Sequence, residues 1–113
     1  MEVLIIVAVA VLFLVWRMKP TKGVRSISAH QLKQELNDSN KVYIDVRTPA
    51  EFKARSIKQF KNIPLGSDLS KLPKDKEIVV ICQSGMRSAQ ACKQLKKLGY
   101  EKVTNVRGGI GSY

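Results

Sequence analysis

Cys82-Gln83-Ser84-Gly85-Met86-Arg87-Ser88 gathers a thiol, two hydroxyls and a guanidinium into one short stretch, directly after the apolar run Ile78-Val79-Val80-Ile81. A short β-branched run reads as a buried parallel strand, and ligands of open α/β sheets bind beyond the carboxyl ends of their strands. Residues 83 to 88 must turn the chain into a helix that begins near Ser88. Their N–H groups therefore converge in front of a helix N-terminus and make a concave anion site. A sulfur held there ionises easily, since helix N-termini and nearby Arg lower a thiol pKa from about 8.5 to roughly 3.5–7.5, and the thiolate is the nucleophile. Arg87 adds a planar fork for an anionic substrate. The chemistry expected is nucleophilic, with Cys82 as the catalytic residue and Gln83, Ser84, Gly85, Met86, Arg87 and Ser88 as the substrate-binding loop.

The elements that hold this loop follow from local signals. Val24 to Ile27 reads as a short edge strand. Ser28-Ala29-His30-Gln31 is a capping box with Ile27 and Leu32 as a hydrophobic staple, opening a helix that ends near Asn37. Lys41 to Val46 alternates and reads as a strand, with Val42, Ile44 and Val46 on one face and Tyr43 and Asp45 on the other. Thr48-Pro49-Ala50-Glu51 is a second capping box, with proline at the first helical position. Asn62 to Leu65 is a candidate strand, and Leu69, Leu72 and Pro73 mark a turn before the strand at 77 to 81. Ala91, Leu95 and Leu98 have helical spacing over Ala89 to Leu98, and Gly99 suits the position just past the helix. Lys102 to Val106 is a last strand, followed by Gly108-Gly109. Strands alternating with short helices imply an α/β fold, a small parallel sheet with helices on both faces.

The amino terminus differs in kind. Val3 to Trp16 carries no charged or polar side chain except the indole of Trp16, and it is closed by Arg17, Lys19 and Pro20. About 20 apolar residues span a bilayer, so this run is short, and its length also suits a signal-peptide core or a helix of self-association. Glu2 in place of a basic start and the absence of a convincing cleavage site favour an uncleaved transmembrane anchor over residues 1–19. The basic cluster Arg17, Lys19, Lys22 and Arg25 then puts the following domain on the cytoplasmic side of the cell membrane, as a single-pass protein. Residues 20–26 would be a linker and short edge strand, and 27–113 the domain.

With 113 residues there is room for one small core and no second catalytic domain. The formal charge of +11 favours anionic partners. Few aromatics, no zinc spacing and no recognisable module argue against nucleic acid. Cys82 and Cys92 are too few for a disulfide framework, and free thiols suit a reducing compartment. Cys92 reads as a structural residue of its helix and His30 as solvated. Asp45 and Arg47 read as hydrogen-bonding braces of the strand-to-helix turn.

Four motifs in order resemble the rhodanese family. These are Asp45-Val46-Arg47-Thr48-Pro49-Ala50-Glu51-Phe52, Asn62-Ile63-Pro64, the Cys82 to Ser88 loop, and Val106-Arg107-Gly108-Gly109-Ile110. The resemblance runs from about Ile27 to the C-terminus. It implies a sulfurtransferase that accepts a sulfane sulfur from a small anionic donor such as thiosulfate, or from a persulfidated protein, as a Cys82 persulfide. The sulfur then passes to a thiophilic acceptor such as cyanide or a thiol. Neither metal nor organic cofactor is implied. The chain departs from the family pattern at Arg55-Ser56 and Gln59-Phe60, around Ile57, and it ends where the family often has a last helix. Two other functions stand beside this one. One is a phosphatase of the cell-cycle dual-specificity kind, whose fold is similar but whose loop is one residue longer than the six from Cys82 to Arg87. The other is a non-catalytic, membrane-tethered interaction module.

Overall fold

The computed structural model describes residues 2–18 and 23–113. The first helix, α1, runs Glu2–Met18, followed by β1 Val24–Ile27, α2 Ala29–Glu35, β2 Lys41–Asp45, α3 Pro49–Ala54, β3 Lys61–Asn62, β4 Glu77–Ile81, α4 Met86–Lys97 and β5 Val103–Val106, and a 3₁₀ turn at Ile110–Ser112 ends the chain. All strand pairings are parallel, in the order β1-β5-β4-β2-β3.

This order reverses direction between β2 and β4. From β2 the chain moves outward to β3 by way of α3, whereas from β4 it moves the other way to β5 by way of α4. Right-handed crossovers then put α3 and α4 on opposite faces of the sheet. The packing agrees. Ala91, Cys92 and Leu95 of α4 share one buried cluster with Ile44, Ile78 and Val80, while Leu32 of α2 and Phe52 of α3 pack with Tyr43, Val79 and Ile81 on the other side. With both faces covered, β4 reads as an unbroken apolar run, which is the pattern a parallel strand requires. The crevice beyond the carboxyl ends of β2 and β4, where Asp45 pairs with Ile81, is the topological switch point at which such sheets bind ligands.

Both capping boxes form. Ser28 Oγ accepts from the Gln31 N–H and Thr48 Oγ1 from the Glu51 N–H, and each third-position side chain returns a bond to the cap backbone. Asp45 and Arg47 brace the turn after β2 as expected. The Arg47 guanidinium pairs with the buried Asp45 carboxylate at 2.8 Å and also donates to the Arg55 carbonyl. Removing either partner would leave a buried charge uncompensated, at a cost of about 3–5 kcal/mol. The segment that departs from the family pattern is pinned by buried Ile57 and Phe60, with Phe60 edge-on to Tyr43 at 5.3 Å.

Three expectations need correction. The helix after Cys82 starts at Met86 rather than near Ser88, because Gly85 takes a φ of 101° and reverses the chain within one residue. The strand expected at Asn62 to Leu65 is only Lys61–Asn62; Ile63 and Leu65 donate to the carbonyls of the consecutive residues Asp45 and Val46, so the parallel register slips and the ladder ends. The transmembrane helix is not supported. No helix among the described residues is long and apolar enough to cross a membrane, and the 17 residues of α1 rise about 25 Å against a hydrocarbon core of about 30 Å. Met1, Lys19, Lys22 and the linker expected at 20–22 lie outside the described residues.

Candidate active site

Cys82 is the first residue past β4, so the strand aims its side chain into the crevice, and the turn made by Gly85 wraps the next backbone around the sulfur. The Gly85 N–H donates to Sγ at 3.0 Å, and the Ser88 hydroxyl, on the first turn of α4, donates at 3.3 Å. Burial of the thiol opposes its ionisation, but bonds from the Ser88 hydroxyl and from the N–H groups of Ser88, Gly85 and Ser84 outweigh it. The thiol pKa therefore lies below its ordinary value. The cause is chiefly the helix N-terminus and a hydroxyl. Cys92, one turn deeper in α4 and without such donors, is pushed up to about 12 by burial. The two thiols are free and not bonded to each other. Cys92 is thus a core residue, and only Cys82 is built to be a thiolate.

The loop is fixed from its other side by the end of the chain. Ile110 and Gly111 donate their N–H groups to the carbonyls of Cys82 and Gln83 at 2.9 and 3.0 Å. Gly109 makes this approach possible: it has a φ of 56°, and a Cβ there would lie 2.2 Å from the Cys82 carbonyl oxygen. Asn105 on β5 donates to the Gly85 carbonyl at 3.3 Å, while its buried Oδ1 has no partner among the described residues. The sequence showed the Gly108-Gly109 pair as a motif. It carried no sign that the pair lies against the catalytic loop.

Of the expected binding residues, Gly85 and Ser88 contact the sulfur, Gln83 and Ser84 are exposed on the loop, and Met86 is 77% exposed at its lip. Arg87 is paired within the protein. Its two terminal nitrogens grip the Glu51 carboxylate at 2.7 and 2.9 Å, a bidentate pair between α4 and α3 across the crevice. Arg87 holds the Glu51 carboxyl down at about 2, well below its usual range. Glu51 is read from sequence only as the capping residue of α3; nothing local signals a partner 36 positions away. Among the described residues, no group of three or more His, Cys, Asp and Glu side chains is gathered to hold a metal ion.

A doubly covered parallel sheet that presents one activated thiol at a helix N-terminus, at its switch point, defines a cysteine-nucleophile α/β domain with an anion-binding loop. The family model for the rhodanese-like domain matches residues 28–113, and the chain belongs to that family. It is 41% identical over 91 residues to a sulfurtransferase of Allochromatium vinosum, covering 77% of this chain and 85% of that protein. It is 40% identical over 91 residues to the putative sulfurtransferase YtwF of Bacillus subtilis, covering 77% and 87%. The crystal structure of a rhodanese-like domain protein from Staphylococcus aureus superimposes with a TM-score of 0.70 at 32% identity, covering 78% of this chain and 89% of that one.

Proposed function

We propose that the protein is a rhodanese-type sulfurtransferase that carries a sulfane sulfur on Cys82. The observation that carries this reading is the Cys82 sulfur itself, which accepts hydrogen bonds from the Gly85 N–H and the Ser88 hydroxyl, and whose pKa is lowered, at the one point where both sheet topology and helix polarity favour an anion. In the first half-reaction the thiolate attacks the outer sulfur of thiosulfate or of a persulfide. The S–S bond of the donor breaks, and its electron pair leaves with sulfite or a thiolate. The terminal sulfur of the Cys82 persulfide keeps a negative charge, which N–H groups of the loop would stabilise. In the second half-reaction a thiophilic acceptor attacks that terminal sulfur and the Cys82 thiolate returns. No net oxidation occurs.

The phosphatase reading has less support. The loop from Cys82 to Arg87 counts six residues, one fewer than in the phosphatases of similar fold, which leaves less room for a phosphate group. Steady-state turnover tests the proposal: the full chain is supplied with thiosulfate or cysteine persulfide and with cyanide, and thiocyanate is measured. Thiocyanate formation that is lost in Cys82→Ser supports the reading. Turnover that survives in Cys82→Ser, or none with either donor in the folded protein, would overturn it.

A further inference from the structure

We infer that Glu51 is a specificity-determining residue, which holds Arg87 away from the donor and so selects persulfides on an organic thiol over free sulfur oxyanions. The inference rests on the sulfurtransferase reading and concerns the same site.

Thiosulfate is a dianion, and the sulfite it releases on attack is one too. Stabilising those oxygens calls for cationic, forked donors, which only a guanidinium supplies in this loop. In this structure both terminal nitrogens of Arg87 donate to Glu51 at 2.7 and 2.9 Å, so the guanidinium charge of the loop is paired with an internal carboxylate. Glu51 is not a loosely tethered surface acid. It is the third residue of the α3 capping box, and its Oε1 also accepts from the Thr48 N–H and hydroxyl at 3.2 and 3.1 Å. The carboxylate is therefore held in place before Arg87 reaches it, so an entering oxyanion must compete with a preorganised internal one. Of the other donors of the loop, the Gly85 N–H and the Ser88 hydroxyl point at Sγ and serve the nucleophile.

An organic persulfide makes no such demand. When Cys82 attacks its outer sulfur, the S–S bond breaks and the leaving thiolate carries its charge on a single sulfur, which takes a proton from water. What such a donor needs is room for a carbon chain, and Met86, 77% exposed beside Gly85, supplies an apolar lip.

The test compares kcat/KM for thiosulfate and for cysteine persulfide in the full chain, in Glu51→Gln and in Glu51→Gln/Arg87→Gln. Glutamine keeps the acceptor of the capping box, so α3 is retained, and thermal unfolding monitors this. Freeing the fork and removing one like charge should raise the thiosulfate-to-persulfide ratio of kcat/KM at least about fivefold, chiefly through a lower KM for thiosulfate. The double variant should lose that gain. If the ratio stays level or falls while persulfide still loads Cys82, the inference is overturned and the sulfurtransferase reading stands. If neither donor loads Cys82, the reading itself fails and the inference with it.

Discussion

Ser88→Ala removes one hydrogen bond from the nucleophile and little else. Ser88 is fully buried on the first turn of α4, its hydroxyl donates to Cys82 Sγ at 3.3 Å, and alanine suits a helix and keeps the backbone N–H. A hydrogen bond to a charged group contributes about 1.5–3 kcal/mol, and each pKa unit corresponds to about 1.36 kcal/mol, so the Cys82 pKa should rise by about 1–2 units. Well below the pKa the thiolate fraction then drops about 10- to 100-fold. Intrinsic nucleophilicity recovers part of this, with a Brønsted slope of about 0.4–0.5, leaving alkylation about 3- to 15-fold slower. Above the new pKa the same slope makes the variant faster than the parent. The assay is the rate of iodoacetamide alkylation against pH, followed by intact mass. A single thiol should react in the native protein, because burial pushes Cys92 up to about 12. The two profiles should therefore cross. Superimposable profiles would refute the assignment of Ser88 as a donor to the thiolate.

Gly109→Ala forces a Cβ to within 2.2 Å of the Cys82 carbonyl oxygen at a φ of 56°, so it should destabilise the domain by about 2–5 kcal/mol, read as a lower urea midpoint. An unchanged midpoint would mean that the chain end does not press on the loop. At the opposite end of the sheet, Glu35 and Glu77 interlock with Arg25 and Lys41. The Glu35 carboxyl is lowered from 4.5 to about 2, with the Arg25 hydrogen bond as the largest cause. A depressed carboxylate stabilises the fold fully above its unfolded pKa, and that stability is lost as pH falls through the folded value. Unfolding free energy should thus decline between about pH 4.5 and 2, and Glu35→Gln should flatten that decline; an equally steep acid limb in the variant would contradict the pairing.

How much of this was legible depended on range along the chain. The capping boxes at Ser28 and Thr48 are written in four consecutive residues, and both form as read. The alternation of Val42 to Val46 and the β-branched run Ile78 to Ile81 placed two central strands and thereby Cys82 at a strand end. The start of α4 was missed by two residues because the spacing of apolar side chains says nothing of Gly85, whose positive φ sets the turn. β3 is shorter than read because its register against β2 slips between Ile63 and Leu65. The Arg87–Glu51 pair and the contact of Gly109 with the Cys82 carbonyl join segments 36 and 27 residues apart, and only the assembled switch point brings them together. The anchor was read from composition, but no helix among the described residues is long and apolar enough to cross a membrane.

The central claim is that Cys82 alone accepts and holds a sulfane sulfur. Intact mass of the full chain after brief exposure to cysteine persulfide, with peptide mapping of Cys82 and Cys92 and a Cys82→Ser control, tests it most directly. The account predicts a gain of one sulfur atom on the Cys82 peptide, absent from the Cys82→Ser protein and removed by cyanide. Sulfur found on Cys92, or on neither cysteine of a folded protein whose Cys82 still alkylates, would contradict it.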